Sequence, residues 1–263
     1  MIGVFDSGIG GLTVVRRIFE LLPDRRVVYF GDTARLPYGT KSPETVTAYA
    51  IQDAQFLLER GARLIVVACN SASAVALDAL AARFDVPILG VIEPAVEAAA
   101  RVSKAGEIGV IGTRATVTSG IYQRLMARLR PEARVRAHAT PLLVSLVEED
   151  WMAQPETASI VRRYLEPLCG DGIDTLILAC THYPLLAGVI AAAAGPAVTL
   201  VDPSLETVLA LKALLDRDPA VAASLESGGG GQFYVSDITP HFRTISSQFL
   251  GRDVGELRKV SLE

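Results

Sequence analysis

An internal repeat is the feature that most restricts the fold of this chain. Three segments in the first half of the 263-residue sequence recur, in the same order, in the second half. The paired segments are residues 2–5 and 108–111, 64–69 and 176–180, and 91–94 and 200–203. Their offsets are 106 residues from Ile2 to Ile108, 111 from Cys69 to Cys180, and 109 from Val91 to Leu200. Because order and spacing are both preserved, the sequence predicts a tandem duplication of one structural unit.

Each copy is predicted to be an α/β unit with a parallel sheet. In the first copy, apolar runs typical of buried strands alternate with segments whose apolar residues have helical spacing. The predicted strands are residues 2–5, 26–30, 64–68 and 88–92, and the predicted helices are residues 12–22, 42–60 and 73–84. This alternation is typical of parallel sheets. We therefore expect an α/β fold of two similar parallel-sheet domains, related by a pseudo-twofold axis, with the active site between them.

The domain limits follow from the extent of the two copies. The first domain is predicted to span residues 1–95 and the second residues 96–204. Residues 205–263 have no counterpart in the second copy. They show a helical pattern at 205–226, a glycine-rich linker at 227–231, a short strand at 232–236 and a final helix at 241–250. We expect this tail to pack on the first domain and complete it.

Composition and charge argue against several classes of protein. The formal net charge is −4 and the basic residues are scattered, so no nucleic-acid partner is expected. No segment contains the roughly 20 consecutive apolar residues of a membrane span, so no membrane partner is expected either. The first eleven residues lack the pattern of a secretory leader, which predicts a cytoplasmic protein. Three cysteines in a chain of this length do not form a disulfide framework.

Polar residues follow the predicted strands at corresponding positions of the two copies. Asp6-Ser7 follows the first strand, Cys69-Asn70-Ser71 follows the third, and Cys180-Thr181-His182 follows the counterpart of the third. Sites in parallel α/β sheets lie beyond the carboxyl ends of the strands. We therefore expect these three clusters to face one cleft.

Cys69 and Cys180 each stand between a strand and a predicted helix, which begins at residue 73 in one copy and near Pro184 in the other. The positive end of a helix macrodipole lowers the pKa of a thiol from its usual value of about 8.5. We therefore expect both thiols to ionise readily. Core packing is the common role of a single free cysteine, and this is the interpretation for Cys169. Equivalent positions in a duplication favour chemistry for the other two.

Two thiols in one cleft allow three kinds of chemistry. A redox pair usually occurs as Cys-x-x-Cys, which is absent here. A thiolate metal site needs three or four ligands, and His182 is the only obvious addition. The third possibility is an acid and a base, one removing a proton from one face of a carbon while the other delivers a proton to the opposite face. Racemisation requires that arrangement, and a pseudo-symmetric cleft provides it.

Other residues receive simpler interpretations. Asp6–Gly11 resembles a dinucleotide loop, but Thr13 replaces the last glycine, so the amides of this turn are better suited to a carboxylate. The tight loop at residues 35–40 is either an ordinary turn or a cover over a ligand. The adjacent Glu148 and Glu149 are expected on a solvated helix face. Trp151 is expected to be a packing residue, and His138 and His241 are expected to have no chemical role.

Taken together, these motifs resemble those of bacterial glutamate racemases, within the aspartate/glutamate racemase superfamily. The resemblance extends over essentially the whole chain, and the pair of cysteine motifs is specific to the superfamily. Ser71 stands where the family more often has Thr, which keeps the hydroxyl, and Ala95 stands where glycine is common. The matching motifs are Asp6-Ser7-Gly8-x-Gly10-Gly11, Pro37-Tyr38-Gly39, Ala68-Cys69-Asn70-Ser71-Ala72, Gly90-Val91-Ile92-Glu93-Pro94 and Ala179-Cys180-Thr181-His182-Tyr183-Pro184.

The resemblance implies interconversion of L-glutamate and D-glutamate, which provides D-glutamate for peptidoglycan, without pyridoxal phosphate or metal. It implies that Cys180 removes the α-proton of the L isomer and Cys69 that of the D isomer, in a protein that is often a homodimer. Residues that set the protonation of the thiols are implied to be Asp6, His182 and Glu148. The implied substrate-binding residues are Asp6, Ser7, Tyr38, Gly39, Asn70, Ser71, Thr181 and His182, joined by Thr113 and Thr116.

The lysines agree with the expectation of no cofactor. Pyridoxal phosphate requires a Schiff-base lysine, and none of the four lysines follows a strand beside the polar clusters. Two alternatives remain open. Another member of the superfamily, such as an aspartate racemase, would prefer L-aspartate. A non-catalytic ligand-binding or thiol-sensing protein would introduce no solvent deuterium at Cα.

Overall fold

The computed structural model describes residues 1–262 and contains two parallel β-sheets flanked by helices. The strands are β1 (Ile2–Asp6), β2 (Val27–Gly31), β3 (Leu64–Val67), β4 (Ile88–Gly90), β5 (Glu107–Gly112), β6 (Arg134–Ala139), β7 (Thr175–Ala179), β8 (Thr199–Val201), β9 (Gly231–Val235) and β10 (Leu257–Lys259). The helices are α1 (Leu12–Leu21), α2 (Pro43–Glu59), α3 (Asn70–Ser73), α4 (Leu77–Arg83), α5 (Ile92–Val102), α6 (Arg114–Ser119), α7 (Ile121–Leu129), α8 (Leu142–Glu148), α9 (Pro155–Gly170), α10 (Ala187–Ala194), α11 (Pro203–Arg217), α12 (Pro219–Ser224) and α13 (Pro240–Leu250). Short 3₁₀ turns span Thr33–Arg35, Tyr38–Thr40 and Tyr183–Leu186.

The two sheets repeat one topology. The first has the strand order β10-β9-β2-β1-β3-β4 and the second has the order β6-β5-β7-β8. The four strands β2-β1-β3-β4 therefore correspond, one for one, to β6-β5-β7-β8. All neighbouring strands within both sheets are parallel. The predicted α/β fold with two parallel-sheet domains is confirmed.

The tail adds two strands to the first sheet. Strand β9 pairs with β2 over the full length of both, from Val27 with Gly231 to Gly31 with Val235, and β10 pairs with β9. The predicted domain limits remain a prediction. The limit at residue 95 falls inside the continuous helix α5, which packs against α7, α11 and β7.

Apolar contacts continue from one domain to the other. Every residue of β1, β2, β3 and β7 is buried, as expected for central strands covered on both faces. One hydrophobic cluster contains residues from both sheets and from the helices between them, including Val15, Val96 and Leu211. Helix α11 packs against both α1 and α5. This shared core fixes the orientation of one sheet edge relative to the other.

Two local predictions were wrong, and two strands were missed. The helix expected at residues 73–84 starts later, as α4 at Leu77, and the short helix α3 precedes it. Ser73, the last residue of α3, uses its hydroxyl to donate to Val67 O at 2.8 Å and to accept from Val91 N at 3.3 Å, which favours the break that follows. Strands β6 and β10 were not predicted, since they are edge strands whose exposed charges interrupt the apolar run. Trp151 is not a packing residue, because 48% of its surface is exposed. Within residues 1–262, no helix has both the length and the apolar character needed to cross a membrane.

The turn after β1 rests directly on the end of β2. A Cβ atom on Gly31 would overlap the carbonyl oxygen of Gly8, and the Tyr29 hydroxyl donates a hydrogen bond to the same oxygen at 2.8 Å. This close approach requires glycine at position 31. It fixes the Asp6-Ser7-Gly8 turn that is predicted to hold part of the site.

We expect Gly31→Ala to destabilise the fold by about 1–3 kcal/mol, the range for forcing an extra group into a packed region. Gly188→Ala is the matched control, because Gly188 is exposed on helix α10 with no neighbour within 4 Å of the added carbon. That change should be neutral or stabilise by up to about 1 kcal/mol. Urea unfolding followed by circular dichroism measures both, and equal stabilities would contradict the packing argument.

Candidate active site

A cavity of about 240 Å³ lies where the carboxyl ends of the two sheets meet. It is smaller than the roughly 300–1,000 Å³ of pockets for drug-sized ligands, so it suits a small molecule. Both domains form its wall. The sequence-predicted residues on that wall are Ser7, Tyr38, Gly39, Cys69, Asn70, Ser71, Thr113, Glu148, Cys180, Thr181 and His182. Asp6 is not on the wall; it is buried at the end of β1.

Cys69 lies between β3 and α3, on the first-domain side of the cavity. Its thiol donates a hydrogen bond to Ser7 Oγ at 3.6 Å. Burial, and next the charge of Asp6, raise the pKa of Cys69 to about 12. The expected lowering of this pKa was therefore wrong. Helix α3 contains only four residues, and its dipole does not compensate for the loss of solvent around the thiol.

Cys180 follows β7 at the corresponding place in the second domain and has a cationic neighbour. Its Sγ lies 3.9 Å from Nδ1 of His182, and Nε2 of His182 lies 3.0 Å from Oε1 of Glu148. Burial lowers the pKa of His182, but the contacts with Cys180 and Glu148 outweigh burial and raise that pKa to about 10. A protonated imidazole therefore lies beside Cys180 at neutral pH.

The position of Glu148 differs from the expectation based on its neighbours in sequence. Glu149 is exposed, as expected of a solvated helix face, but Glu148 turns toward His182 and its side chain is only 29% exposed. The edge of Phe249 packs on the His182 ring, with 5.0 Å between ring centroids. His182 is therefore held by a carboxylate on one side and an aromatic ring from the tail on another.

Asp6 is a buried carboxyl group close to Cys69. One oxygen, Oδ2, accepts a hydrogen bond from Gly8 N at 2.9 Å, whereas Oδ1 has no hydrogen-bond partner among residues 1–262. Burial raises the pKa of Asp6, although the charge of His182 partly opposes this effect. The carboxyl is therefore placed to disfavour a thiolate at Cys69.

Hydroxyl and amide groups from both domains form the rest of the wall. Ser71 Oγ of the first domain lies 3.0 Å from Thr113 Oγ1 of the second. The Asn70 amide oxygen accepts a hydrogen bond from Tyr122 OH at 2.7 Å, again across the domain boundary. Thr116 is buried and bonds Thr113 at 3.0 Å without reaching the cavity. The structure thus places neutral donors and acceptors around the space between the thiols.

The loop that contains Pro37-Tyr38-Gly39 is anchored by a buried carboxyl pair. Tyr38 OH lies 2.5 Å from Asp32 Oδ2 and 2.9 Å from Asp53 Oδ2. A hydroxyl has one proton, so both contacts are satisfied only when one carboxyl is protonated. Burial, and next the charge of Asp32, raise the pKa of Asp53 well above its usual value. Arg35 contacts both carboxyls. The Tyr38 hydroxyl therefore holds the loop in place.

Gly10 allows the two domains to touch beside the thiols. A Cβ atom at this position would overlap Thr181 Oγ1 and would lie 2.7 Å from His182 Nδ1. The glycine-rich turn after β1 therefore packs against the Cys180-Thr181-His182 segment. This contact explains the glycine at position 10 without a nucleotide.

Some wall residues were not predicted from the sequence. Arg114, Pro141, Val144 and Ser145 line the second-domain side. Strand β5 ends at Gly112 as β1 ends at Asp6, so aligning the two copies places Arg114 opposite Gly8 of the site-forming turn. That alignment is the signal that could have identified Arg114. None of the four lysines lines the cavity. Among residues 1–262, no group of three or more His, Cys, Asp or Glu side chains is arranged to hold a metal ion.

Comparison with known proteins gives concordant matches in sequence and in structure. Residues 2–211 match the sequence profile of the family described as Asp/Glu/Hydantoin racemase. A glutamate racemase of Geobacter metallireducens is 46% identical over 262 residues, which cover 100% of this chain and 97% of the relative. A glutamate racemase isoform from Bacillus anthracis superimposes with a TM-score of 0.94 at 37% identity, over 100% of this chain and 97% of the other. A glutamate racemase from Francisella tularensis in complex with D-glutamate gives a TM-score of 0.91 at 36% identity, with the same coverage.

The unequal surroundings of the two thiols predict unequal alkylation. Their exposed fractions are nearly equal, 5% for Cys69 and 6% for Cys180, so access alone does not separate them. At pH 7.5 we expect iodoacetamide to modify Cys180 at least about tenfold faster than Cys69, because only the thiolate reacts. Mass spectrometry of peptides gives both rates. Glu148→Gln should slow modification of Cys180 alone, and equal rates in the unmodified protein would contradict the assignment.

Proposed function

The chain belongs to the Asp/Glu/hydantoin racemase family, and from this premise we propose that it interconverts L-glutamate and D-glutamate by two-base catalysis. The observation that carries the proposal is the position of the two thiols. Cys69 and Cys180 follow the equivalent strands β3 and β7 and line one cavity from opposite domains. An acid and a base on opposite sides of one carbon are what inversion requires.

In the direction from L-glutamate to D-glutamate, Cys180 is the base and Cys69 is the acid. The Cys180 thiolate takes the α-proton and becomes a thiol. The Cys69 thiol gives its proton to the opposite face of the same carbon and becomes a thiolate. Substrate and product have the same composition, and one proton has moved between the two sulfurs. The imidazolium facing Cys180, and the raised pKa of Cys69, support this assignment of the resting state.

The reverse direction exchanges the two roles. Cys69 then removes the α-proton of D-glutamate and Cys180 delivers a proton to the opposite face. The Cys69 thiolate is the less stable of the two, because Asp6 and burial both disfavour charge on that sulfur. Asp6, His182 and Glu148 thus act by setting the relative stability of the two protonation states.

The neutral groups on the wall have a separate role. Loss of the α-proton places negative charge beside a carboxylate, and hydrogen-bond donors that are already in position lower the free energy of that state. Ser7, Asn70, Ser71, Thr113 and Thr181 offer such donors on the cavity wall. We assign them to the carboxylates and ammonium group of glutamate, with the Tyr38-Gly39 segment as a fixed wall.

We assign glutamate as the substrate in preference to aspartate. The glutamate racemase of Geobacter metallireducens is 46% identical to this chain over nearly the full length of both. Aspartate is shorter by one methylene group, a difference worth about 1–3 kcal/mol in a fitted pocket. The ratio of kcat/KM for L-glutamate to that for L-aspartate tests the assignment. A ratio below one would transfer the proposal to aspartate.

The chain provides its own control for the role of the thiols. Cys69→Ser and Cys180→Ser should each reduce racemisation by about 10²–10⁴-fold or more, the range for loss of a general acid or base. Cys169→Ser should remain within about twofold of the unmodified protein, because Cys169 does not line the cavity. Circular dichroism of L-glutamate and of D-glutamate, with no metal or cofactor added, measures the rates. Near-normal activity of either cavity variant would overturn the two-base assignment.

Deuterium distinguishes two bases from one. In D₂O, the first D-glutamate formed from L-glutamate should contain deuterium at Cα, because its proton comes from the exchanged Cys69 thiol. The L-glutamate that remains should still contain hydrogen. Mass spectrometry early in the reaction measures both pools. Deuterium in the remaining substrate at the same rate would indicate a single base, and no deuterium in either pool would support a ligand-binding or thiol-sensing role.

We also propose that the protein works in the cytoplasm, where catalytic thiols stay reduced, that its D-glutamate is used in peptidoglycan, and that it forms a homodimer. Leu142, the first residue of α8, and Trp151, three residues after its end, are 45% and 48% exposed and offer apolar contact area. Light scattering should give twice the chain mass of 28.0 kDa. Replacing both residues by Ser should weaken the dimer, whereas Leu209→Ser on α11 should not. A monomer at all concentrations would contradict the homodimer.

A further inference from the structure

Without Arg114, the side chains of the cavity wall would carry a net negative charge, which does not suit an anionic substrate. Besides the two thiols, three side chains of the wall can carry a charge near neutral pH: Arg114, Glu148 and His182. Glu148 and His182 are paired with each other at 3.0 Å. A thiolate at Cys180 adds one negative charge to this pair. A dicarboxylic amino acid, itself a net anion, would meet net negative charge in the cavity if Arg114 were absent.

Arg114 lies at the rim of the cavity, where the two domains meet. It is the first residue of α6 and follows Thr113, whose hydroxyl contacts Ser71 of the first domain. A Cβ atom on Gly39 would lie 3.0 Å from Thr113 Cβ, so the Tyr38–Thr40 turn packs against the same point. The backbone at Arg114 is therefore held in place by the contacts of its neighbour Thr113 with the first domain.

Arg114 has no partner that would neutralise it. Among residues 1–262 it makes neither an ion pair nor a side-chain hydrogen bond, although it lines the cavity and is exposed. Two other arginines differ in this respect: Arg35 contacts Asp32 and Asp53, and Arg136 contacts Glu107 and Asp171. An arginine with free donors is well suited to hold a carboxylate.

We propose that Arg114 is a substrate-binding and specificity-determining residue, which attracts the substrate and holds its side-chain carboxylate at the cavity rim. This inference rests on the proposed function. The reacting carbon must lie between the two thiols, so the far end of the substrate is the end that reaches the rim. A side-chain carboxylate there meets Arg114, whereas a neutral side chain does not.

This role predicts an effect on binding and none on the chemical step. The contact is made in the ground state and in the transition state alike, so its loss raises KM and leaves kcat unchanged. For L-glutamate, Arg114→Gln should raise KM about threefold to tenfold, the range between an exposed ion pair and a charge-assisted hydrogen bond. Arg114→Lys should restore part of the loss, because it keeps the charge without the bidentate geometry.

Salt and a charge-matched variant separate this role from a structural one. Raising NaCl from about 20 mM to about 500 mM should lower kcat/KM of the unmodified protein, and that dependence should be weaker in Arg114→Gln. Arg128→Gln is the control, because Arg128 is exposed on α7, has no ion pair among residues 1–262 and does not line the cavity. It removes the same charge and should leave KM and the salt dependence unchanged.

L-glutamine, of the same length but with a neutral side chain, tests which carboxylate is held. The unmodified protein should bind glutamate more tightly than glutamine, measured as a competitive inhibitor, and Arg114→Gln should reduce that preference by the same factor as the rise in KM. An unchanged KM, or an effect equal to that of Arg128→Gln, would overturn the role of Arg114, and an unchanged preference would overturn the side-chain assignment. Failure of the unmodified protein to racemise glutamate would instead overturn the proposed function itself.

Discussion

The site depends on one constraint, that the carboxyl ends of two separate parallel sheets must face each other across one small cavity. Strand ends are where a parallel α/β sheet presents side chains and free backbone amides, but a single sheet presents them on one side only. Here β3 and β7 bring one thiol each to the same cavity. The apolar contacts of α1, α5 and α11 keep the two edges in register. Without that shared core, each domain would carry half of a site.

Duplication makes the backbone nearly symmetric, but the chemistry requires unequal thiols. The inequality comes from residues that are not repeated. Asp6, at the end of β1, has Gly112 as its counterpart at the end of β5, and His182 has Ser71 as its counterpart after the other cysteine. One sulfur therefore lies near a buried carboxyl and the other near an imidazolium held by Glu148. A symmetric fold thus contains two proton sites of different affinity.

The sequence predicted the architecture well because the architecture depends on patterns within short stretches of the chain. Buried strands, helical spacing and the repeated motifs each depend on a few neighbouring residues, and the positions of Cys69 and Cys180 follow from them. The ionisation of Cys69 was not predictable, since burial and Asp6 act through space and outweigh a four-residue helix. Glu148 was misplaced for the same reason, because its partner is 34 residues away in sequence. Strands β6 and β10 were not predicted because an edge strand can form without a continuous run of apolar residues, and such a run is the signal used to predict a strand.

The carboxyl pair beneath the Tyr38 loop connects regions that are far apart along the chain. Ser236, just after β9, donates a hydrogen bond to Asp32 at 2.9 Å, and Thr33 and Asp237 bond each other at the same place. Ser236 and Asp237, which are synthesised about two hundred residues after Asp32 and Thr33, thus support the loop at the cavity entrance. A nascent chain that has completed strands β1 to β8 still lacks this support. Catalytic competence should therefore arise abruptly and late in synthesis, which limits how long incomplete chains could act on free amino acids.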